Sequence, residues 1–400
     1  MRPGEGARYE PLVGGLSLSI HRAIAEIPAE EWGALAAHER DAATPFLRHA
    51  FLAAVEESGS ASARTGWSPR HLALRRGGAL VAAAPAWRRT GSDGDFSRDY
   101  DIAAAAERAG SRYYPKLVLG VPFTPVTGRR VLVAQGEDRA ALTEALLAGA
   151  RRLVREEGMG GLHVLFPPAD EARILEALGL AVRVDFQYHW RNEGYRTMDE
   201  FLARFPSKRR NAIRRERAAP ARQGIAIRTV RGEELARDPS RWAAECFSLH
   251  RASTDRMVWG MRWVNRRFYE RVLEWMPDSA EVVEARREGK LVAMAFNLAS
   301  ASRLYGRYWG AVEEHPFLHF NVALYHSIEE CIRRGVHVFE GGAGGDHKVA
   351  RGFEPAETYT AHLLADARLD GAVRRHLEVE RERRSGAVQR WREEHPRLGG

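Results

Sequence analysis

The chain has 400 residues, a length that argues for two domains rather than one core. Hydrophobic residues make up 44% and charged residues 28%, both globular values, and no apolar run approaches the ~20 residues of a membrane span. The net charge of +8 favours polyanionic partners: nucleic acid, nucleotides or an anionic membrane. The two cysteines, Cys246 and Cys331, are far apart and lack metal-ligand spacing. Residues 1–16 read as a flexible leader without the apolar core of a signal peptide, so a cytoplasmic location is the default expectation.

From Ser17 to Ile24 the pattern alternates as a strand. Pro28-Ala29-Glu30-Glu31-Trp32 opens a helix, and Pro45 to Ser58 reads as a second. His71 to Arg75 and Leu80 to Trp87 form a hairpin about a glycine turn. Thr90 to Gly110 is a loop with a short helix. Prolines exclude a central strand throughout Tyr113 to Val133, leaving a rigid loop flanked by strands. A helix over Arg139 to Glu157, a strand over Leu162 to Phe166, a helix over Asp170 to Leu178 and a strand over Ala181 to Trp190 complete the first half.

A second cycle follows. Met198 to Phe205 is helical, with Thr197 as its N-cap, and Ser207 is expected to cap a strongly basic helix over Lys208 to Arg217. After a strand (Ile225 to Val230), two helices (Ser240 to Asp255, Asn265 to Trp275) and a second glycine hairpin (Glu281 to Arg286, Leu291 to Ala299) comes a strand–helix–strand unit. It runs Arg303 to Gly310, His319 to Arg334 and Val336 to Glu340, the arrangement that makes parallel pairs. Thr358 to Leu364 is a further strand, and residues 371–400 read as a charged helix or tail. The order helix, helix, hairpin, strand, helix, strand occurs twice. We read two copies of one α+β domain, residues 17–187 and 188–370, joined near Tyr188 to Tyr195.

Chemistry is expected at the carboxyl ends of the parallel strands. There stand Glu340, the glycine loop Gly341 to Gly345, Asp346, His347, Lys348 and Arg351, with His319 and Asn321 where the helix opens. His319, His347 and Asp346 are the acid/base candidates, with His347 or Asp346 favoured as base or holder of a substrate ammonium and Glu340 a further catalytic candidate; a lone histidine is more often structural. Alternation puts Tyr305, Arg307 and Trp309 on one strand face and Tyr308 on the other. Arg307 is then either an anion reader between aromatic rings or the partner of Glu340. Lys348 and Arg351 are candidates for phosphate or carboxylate binding. In the first half Tyr113, Tyr114, Phe123 and Thr124 read as pocket lining, and His189 and Arg191 as residues of a cleft. Lys208, Arg209, Arg210, Arg214 and Arg215 suit phosphate contacts; the plainer reading is a solvated, salt-bridged face. There is no Walker A spacing, no Gly-x-Ser-x-Gly elbow and no Cys/His metal set.

The runs Tyr113-Tyr114-Pro115-Lys116-Leu117, Val121-Pro122-Phe123-Thr124-Pro125, His189-Trp190-Arg191-Asn192, Ser207-Lys208-Arg209-Arg210-Asn211, Leu304-Tyr305-Gly306-Arg307-Tyr308-Trp309 and His347-Lys348 to Arg351-Gly352-Phe353 resemble the Fem-like (FemAB-like) acyltransferases of the GNAT superfamily. The resemblance implies two tandem GNAT-like domains with mixed central sheets. It implies an acyltransferase with no permanently bound cofactor. The expected donor is aminoacyl-tRNA, with acyl-CoA as the alternative, and the acceptor a cell-wall precursor or small amine-bearing molecule. A non-catalytic recognition module is the further alternative. Two positions depart from the family pattern: Asn321 stands where a Glu is expected and Ala323 where a Cys is. Ordinary GNAT members cradle the CoA pyrophosphate in a glycine-bearing loop at a helix N-terminus. The corresponding segment, Ala311 to Phe320, has no glycine and carries Glu313 and Glu314, which argues against acetyl-CoA.

Overall fold

The computed structural model describes residues 10–11, 15–37, 39, 44–257 and 260–394. Most of the expected leader lies outside these residues. The chain divides into two compact units, Met1–Asp185 with Glu357–Ala387, and Phe186–Ala356 with the remaining C-terminal residues.

In the second unit the strands are ordered Ile225–Arg231, Ala280–Arg287, Lys290–Ala299, Arg303–Ala311, Val338–Glu340 and the end of Ala181–Arg191. One pair is parallel, Arg303–Ala311 with Val338–Glu340, as the strand–helix–strand reading predicts. The hairpin turn needs positive φ at both central residues, and Glu288 (φ 51°) and Gly289 (φ 77°) supply it. Lys290–Ala299 is apolar on both sides because helices cover both sides. Phe296 packs edge-on against Tyr269 of helix Arg266–Trp275, while Ala293 and Ala295 meet Leu318 and Val322 of the crossover helix. That crossover is α-helical over Leu318–Phe320, π-helical over Asn321–Tyr325 and α-helical again over His326–Arg334, closing on Gly335 at φ 69°.

The basic helix spans Ser207–Arg222, and the N-cap position belongs to Pro206. Ser207, expected as the cap, is instead the first helical residue. Thr197 does cap its helix, accepting from the Glu200 N–H.

The first unit repeats the plan. Its hairpin, His71–Arg76 and Ala79–Ala84, turns on Gly77 and Gly78, again both at positive φ. Pro85 divides the expected strand Leu80 to Trp87, since it has no N–H to continue the ladder, and Ala86–Arg89 joins a different sheet. Lys116–Leu119 and Gly161–Leu165 form the parallel pair. The next strand is Glu354–Leu364, antiparallel to Gly161–Leu165. The sequence reading kept residues up to 370 in the second domain, whereas Glu357–Ala387 groups with the first unit. Local patterning shows that Thr358 to Leu364 is a strand; it does not show which edge the strand joins.

Candidate active site

In the second unit, Glu340 ends its strand and is flanked on both sides. Tyr305 is its parallel register partner and His189 its antiparallel one. Beyond Tyr305 and Glu340 no further pairs join the two parallel strands, and the backbone turns into the glycine loop. Glu340 is 3% exposed and His189 5%. Their facing atoms, Glu340 Oε2 and His189 Nε2, lie 3.7 Å apart, beyond hydrogen-bond reach. Neither has a hydrogen-bond partner among the described residues. Two buried polar atoms facing each other unsatisfied are costly in a fold that needs only stability, and they are close enough for one polar group beside them to bond to both.

The other carboxylate oxygen, Oε1, accepts from Arg303 at 3.1 Å. Burial pushes the Glu340 carboxyl up to about 7, against the opposing pull of Arg303, Arg307 and Arg191. Burial, then Arg303, Arg191 and Lys348, push His189 down to about 3, so its ring is neutral. A neutral ring beside a carboxyl that titrates near neutrality is an arrangement able to accept a proton.

The expected alternation along Arg303–Ala311 fails at one residue. Tyr308 pairs with Phe296 and Gly306 with Asn297, leaving Arg307 as the extra residue of a β-bulge. The bulge carries Arg307 to the face of Tyr308, over whose ring its guanidinium lies at 5.7 Å. Tyr305, Arg307 and Tyr308 therefore share a face with Glu340, and Trp309 points the other way, 4.9 Å from His319. The Glu340 ion pair is made by Arg303, which the sequence reading passed over. Its signal was present, because Arg303 precedes Tyr305 by two residues on the same strand face.

The glycine loop is held from within. The Lys348 ammonium donates to Gly342 O at 2.7 Å and Gly344 O at 2.6 Å, and burial lowers Lys348 to about 8. His347 and His319 have ring centroids 6.2 Å apart, and burial, then His347, Lys348 and Arg351, lower His319. The Asp346 side chain lies outside the described residues. Asn321 donates to the carbonyls of Glu216 and Phe317, a helix-packing role.

Arg351, expected to read phosphate, is engaged by Glu216 at 2.9 Å and covers the Phe320 ring at 3.4 Å. Glu216 also accepts from Tyr325 Oη at 2.5 Å and from Arg209 at 3.2 Å. The signal for Glu216 was a lone acid on the buried stripe Ile213, Glu216, Pro220 of a basic helix. Along that helix Arg214 pairs with Asp199 and Arg217 with Glu329, while Lys208, Arg210 and Arg215 make no ion pair among the described residues.

The first-unit residues lie elsewhere. Tyr113 Oη donates to Asp99 at 2.5 Å, in a buried network with Lys116, Asp95, Ser92 and Tyr114. Phe123 packs edge-on against Trp67, and Thr124 bonds to Pro122 O. All four residues expected as pocket lining are instead part of that unit's interior packing. Matching the repeated runs Gly158 to Phe166 and Gly335 to Glu340 sets Phe166 where the second unit has Glu340. The buried acid therefore occurs in one copy only. Among the described residues, no group of three or more His, Cys, Asp or Glu could hold a metal ion, and no helix is long and apolar enough to cross a membrane.

The family model for FemAB-like proteins of peptidoglycan biosynthesis and recognition matches residues 23–397. The chain belongs to the FemAB-like family. Among solved structures, the C-terminal domain of a putative lysylphosphatidylglycerol synthetase from Agrobacterium fabrum is similar at 11% identity, covering 88% of this chain and 96% of its own, with a TM-score of 0.53. FemX is similar at 12% identity, covering 87% and 98%, with a TM-score of 0.52. A tandem GNAT protein from the clavulanic acid biosynthesis pathway aligns at 16% identity over 88% and 99%, with a TM-score of 0.44. No curated protein matches the sequence. The likeness to the first two of these structures shows the fold, which here is two units of one α+β plan with mixed sheets.

Proposed function

We propose that this FemAB-like protein transfers an aminoacyl group from aminoacyl-tRNA to an amine acceptor, and that Glu340 is the base. The observation that carries this reading is the unsatisfied pair, Glu340 Oε2 facing His189 Nε2 at 3.7 Å where the parallel strands part. With Glu340 ionised and the neutral His189 ring carrying its proton on Nδ1, both atoms accept hydrogen bonds, so together they take the N–H groups of an ammonium. Glu340 removes one proton. The freed amine attacks the ester carbonyl carbon, the new C–N bond forms, the ester C–O bond breaks, and the terminal ribose hydroxyl leaves with a proton. Most of the remaining catalysis is alignment of the two reactants.

The donor assignment rests on charge. Lys208, Arg210 and Arg215 offer cations that no carboxylate among the described residues engages. The segment entering the crossover helix carries Glu313 and Glu314, which repel a CoA pyrophosphate. The acceptor class proposed is a cell-wall precursor or a small amine-bearing metabolite.

The test is transfer from radiolabelled aminoacyl-tRNA to amine acceptors, with Glu340→Gln alongside the wild type. Loss of transfer in the variant, with tRNA binding retained, is expected. Wild-type turnover by Glu340→Gln, or transfer from acyl-CoA alone, would overturn the reading.

A further inference from the structure

Arg303 and Arg191 act on both Glu340 and His189, Arg307 acts on Glu340, and Lys348, from the loop, acts on His189. Glu340 is the one carboxylate of the group. An ammonium with no anion of its own would be disfavoured by these cations. Glu340 Oε2 and His189 Nε2 nevertheless stand without hydrogen-bond partners among the described residues, and the reading above gives them the N–H groups of the acceptor.

Arg191 points to the resolution. It lies two residues beyond His189 on the same strand and so on the same face. Through Val338 it lies in one row with Arg303, one two-residue step (about 6.6 Å) from the row that holds His189, Glu340 and Tyr305. Arg303 is committed to Glu340. Arg191 is exposed, and its side chain makes no ion pair or hydrogen bond among the described residues.

We infer that the acceptor carries an anionic group, carboxylate or phosphate, next to its amine, and that Arg191 reads that group while Glu340 and His189 hold the amine. This rests on the Glu340-centred reading above and adds the class of acceptor to it. A planar guanidinium bonds either anion through two parallel N–H donors, so the shared chemistry is an amine with a neighbouring oxyanion.

The full-length protein is titrated with β-alanine, O-phosphoethanolamine and ethanolamine, followed by ligand-observed NMR and, with aminoacyl-tRNA present, by transfer. The wild type is expected to favour an anionic amine over ethanolamine by about tenfold or more. Preference for β-alanine assigns a carboxylate, and preference for O-phosphoethanolamine a phosphate. Arg191→Gln should raise KM for the favoured acceptor about tenfold with a much smaller change in kcat, and Arg191→Lys should restore part of the loss. Equal binding of all three amines, binding of none, or an unchanged preference in Arg191→Gln would overturn the inference. So would a variant that loses tRNA affinity instead, since the anion read would then be the donor's. Glu340→Gln in the same series keeps the two proposals apart. Full turnover there defeats the base assignment, whereas anion selectivity is read from Arg191 alone.

Discussion

Glu216 and Arg351 meet at 2.9 Å across 135 residues of chain, and they fasten the basic helix to the segment that follows the glycine loop. Arg209 shares the same carboxylate and donates to Ala350 O at 2.6 Å, so two arginines clamp one buried acid. Removing one partner of a buried pair leaves the other charge uncompensated. Arg351→Ala and Glu216→Ala should each lower stability by about 3–5 kcal/mol, while the double replacement Glu216→Gln with Arg351→Met should cost clearly less than the two together. Chemical denaturation of the four proteins checks this.

Glu340 links activity and stability to pH in opposite senses. Its carboxyl is raised from 4.5 to about 7, so the active carboxylate accumulates as pH rises through 7, and transfer should rise with it. Between pH 4.5 and 7 the unfolded chain has already released a proton that the folded chain keeps. Folding stability from this group is therefore full below pH 4.5 and is lost as pH rises through 7. Glu340→Gln removes that loss. It should be inactive yet more stable than the wild type at pH 8, by an amount on the order of 1–3 kcal/mol, and the difference should vanish near pH 5. Thermal melts across pH beside initial rates would show a common inflection.

The cations of the Ser207–Arg222 helix fall into two groups that a salt series separates. Replacing Lys208, Arg210 and Arg215 by Gln should weaken tRNA binding and make the slope of log K against log salt shallower by roughly 2 to 3. Arg214→Gln, whose guanidinium is paired with Asp199, should change the slope by less than half a unit (about 0.4). Equal effects would mean that this helix does not face the RNA.

Gly310 leaves no room for a side chain. A Cβ there would come within 2.3 Å of Leu249 C and 2.4 Å of His250 N, backbone atoms of helix Pro239–Asp255. Gly310→Ala should therefore cost several kcal/mol, on the order of 3, whereas Gly289→Ala in the open turn, where only the positive φ opposes it, should cost about 1. Unfolding midpoints of the two variants give the ratio.

Much of this was legible from residue order. The strand–helix–strand unit, both glycine hairpins and the basic helix follow from periodicity and turn chemistry. Glu340 and His189 could be named because they end predicted strands. Their meeting could not, since it depends on which strand pairs with which. The face of Arg307 was misread because a bulge inserts one residue without disturbing the local run of aromatics. Tyr113 and Tyr114 suggested a binding platform because aromatics beside prolines look alike whether they line a cavity or cover a buried lysine. Only the third dimension brings Asp95 and Asp99 to Lys116, at 2.9 and 2.5 Å.

The origin of the strand beside Gly161–Leu165 bears on how this protein is made. That strand is Glu354–Leu364, delivered after nearly nine-tenths of the chain. On the ribosome, the first unit must wait with one sheet edge unpaired until the second unit has been synthesised. A truncation after residue 187 keeps the whole of the first sequence repeat and still lacks that strand. It should aggregate, and a synthetic peptide covering residues 354–364 is the natural reagent to rescue it.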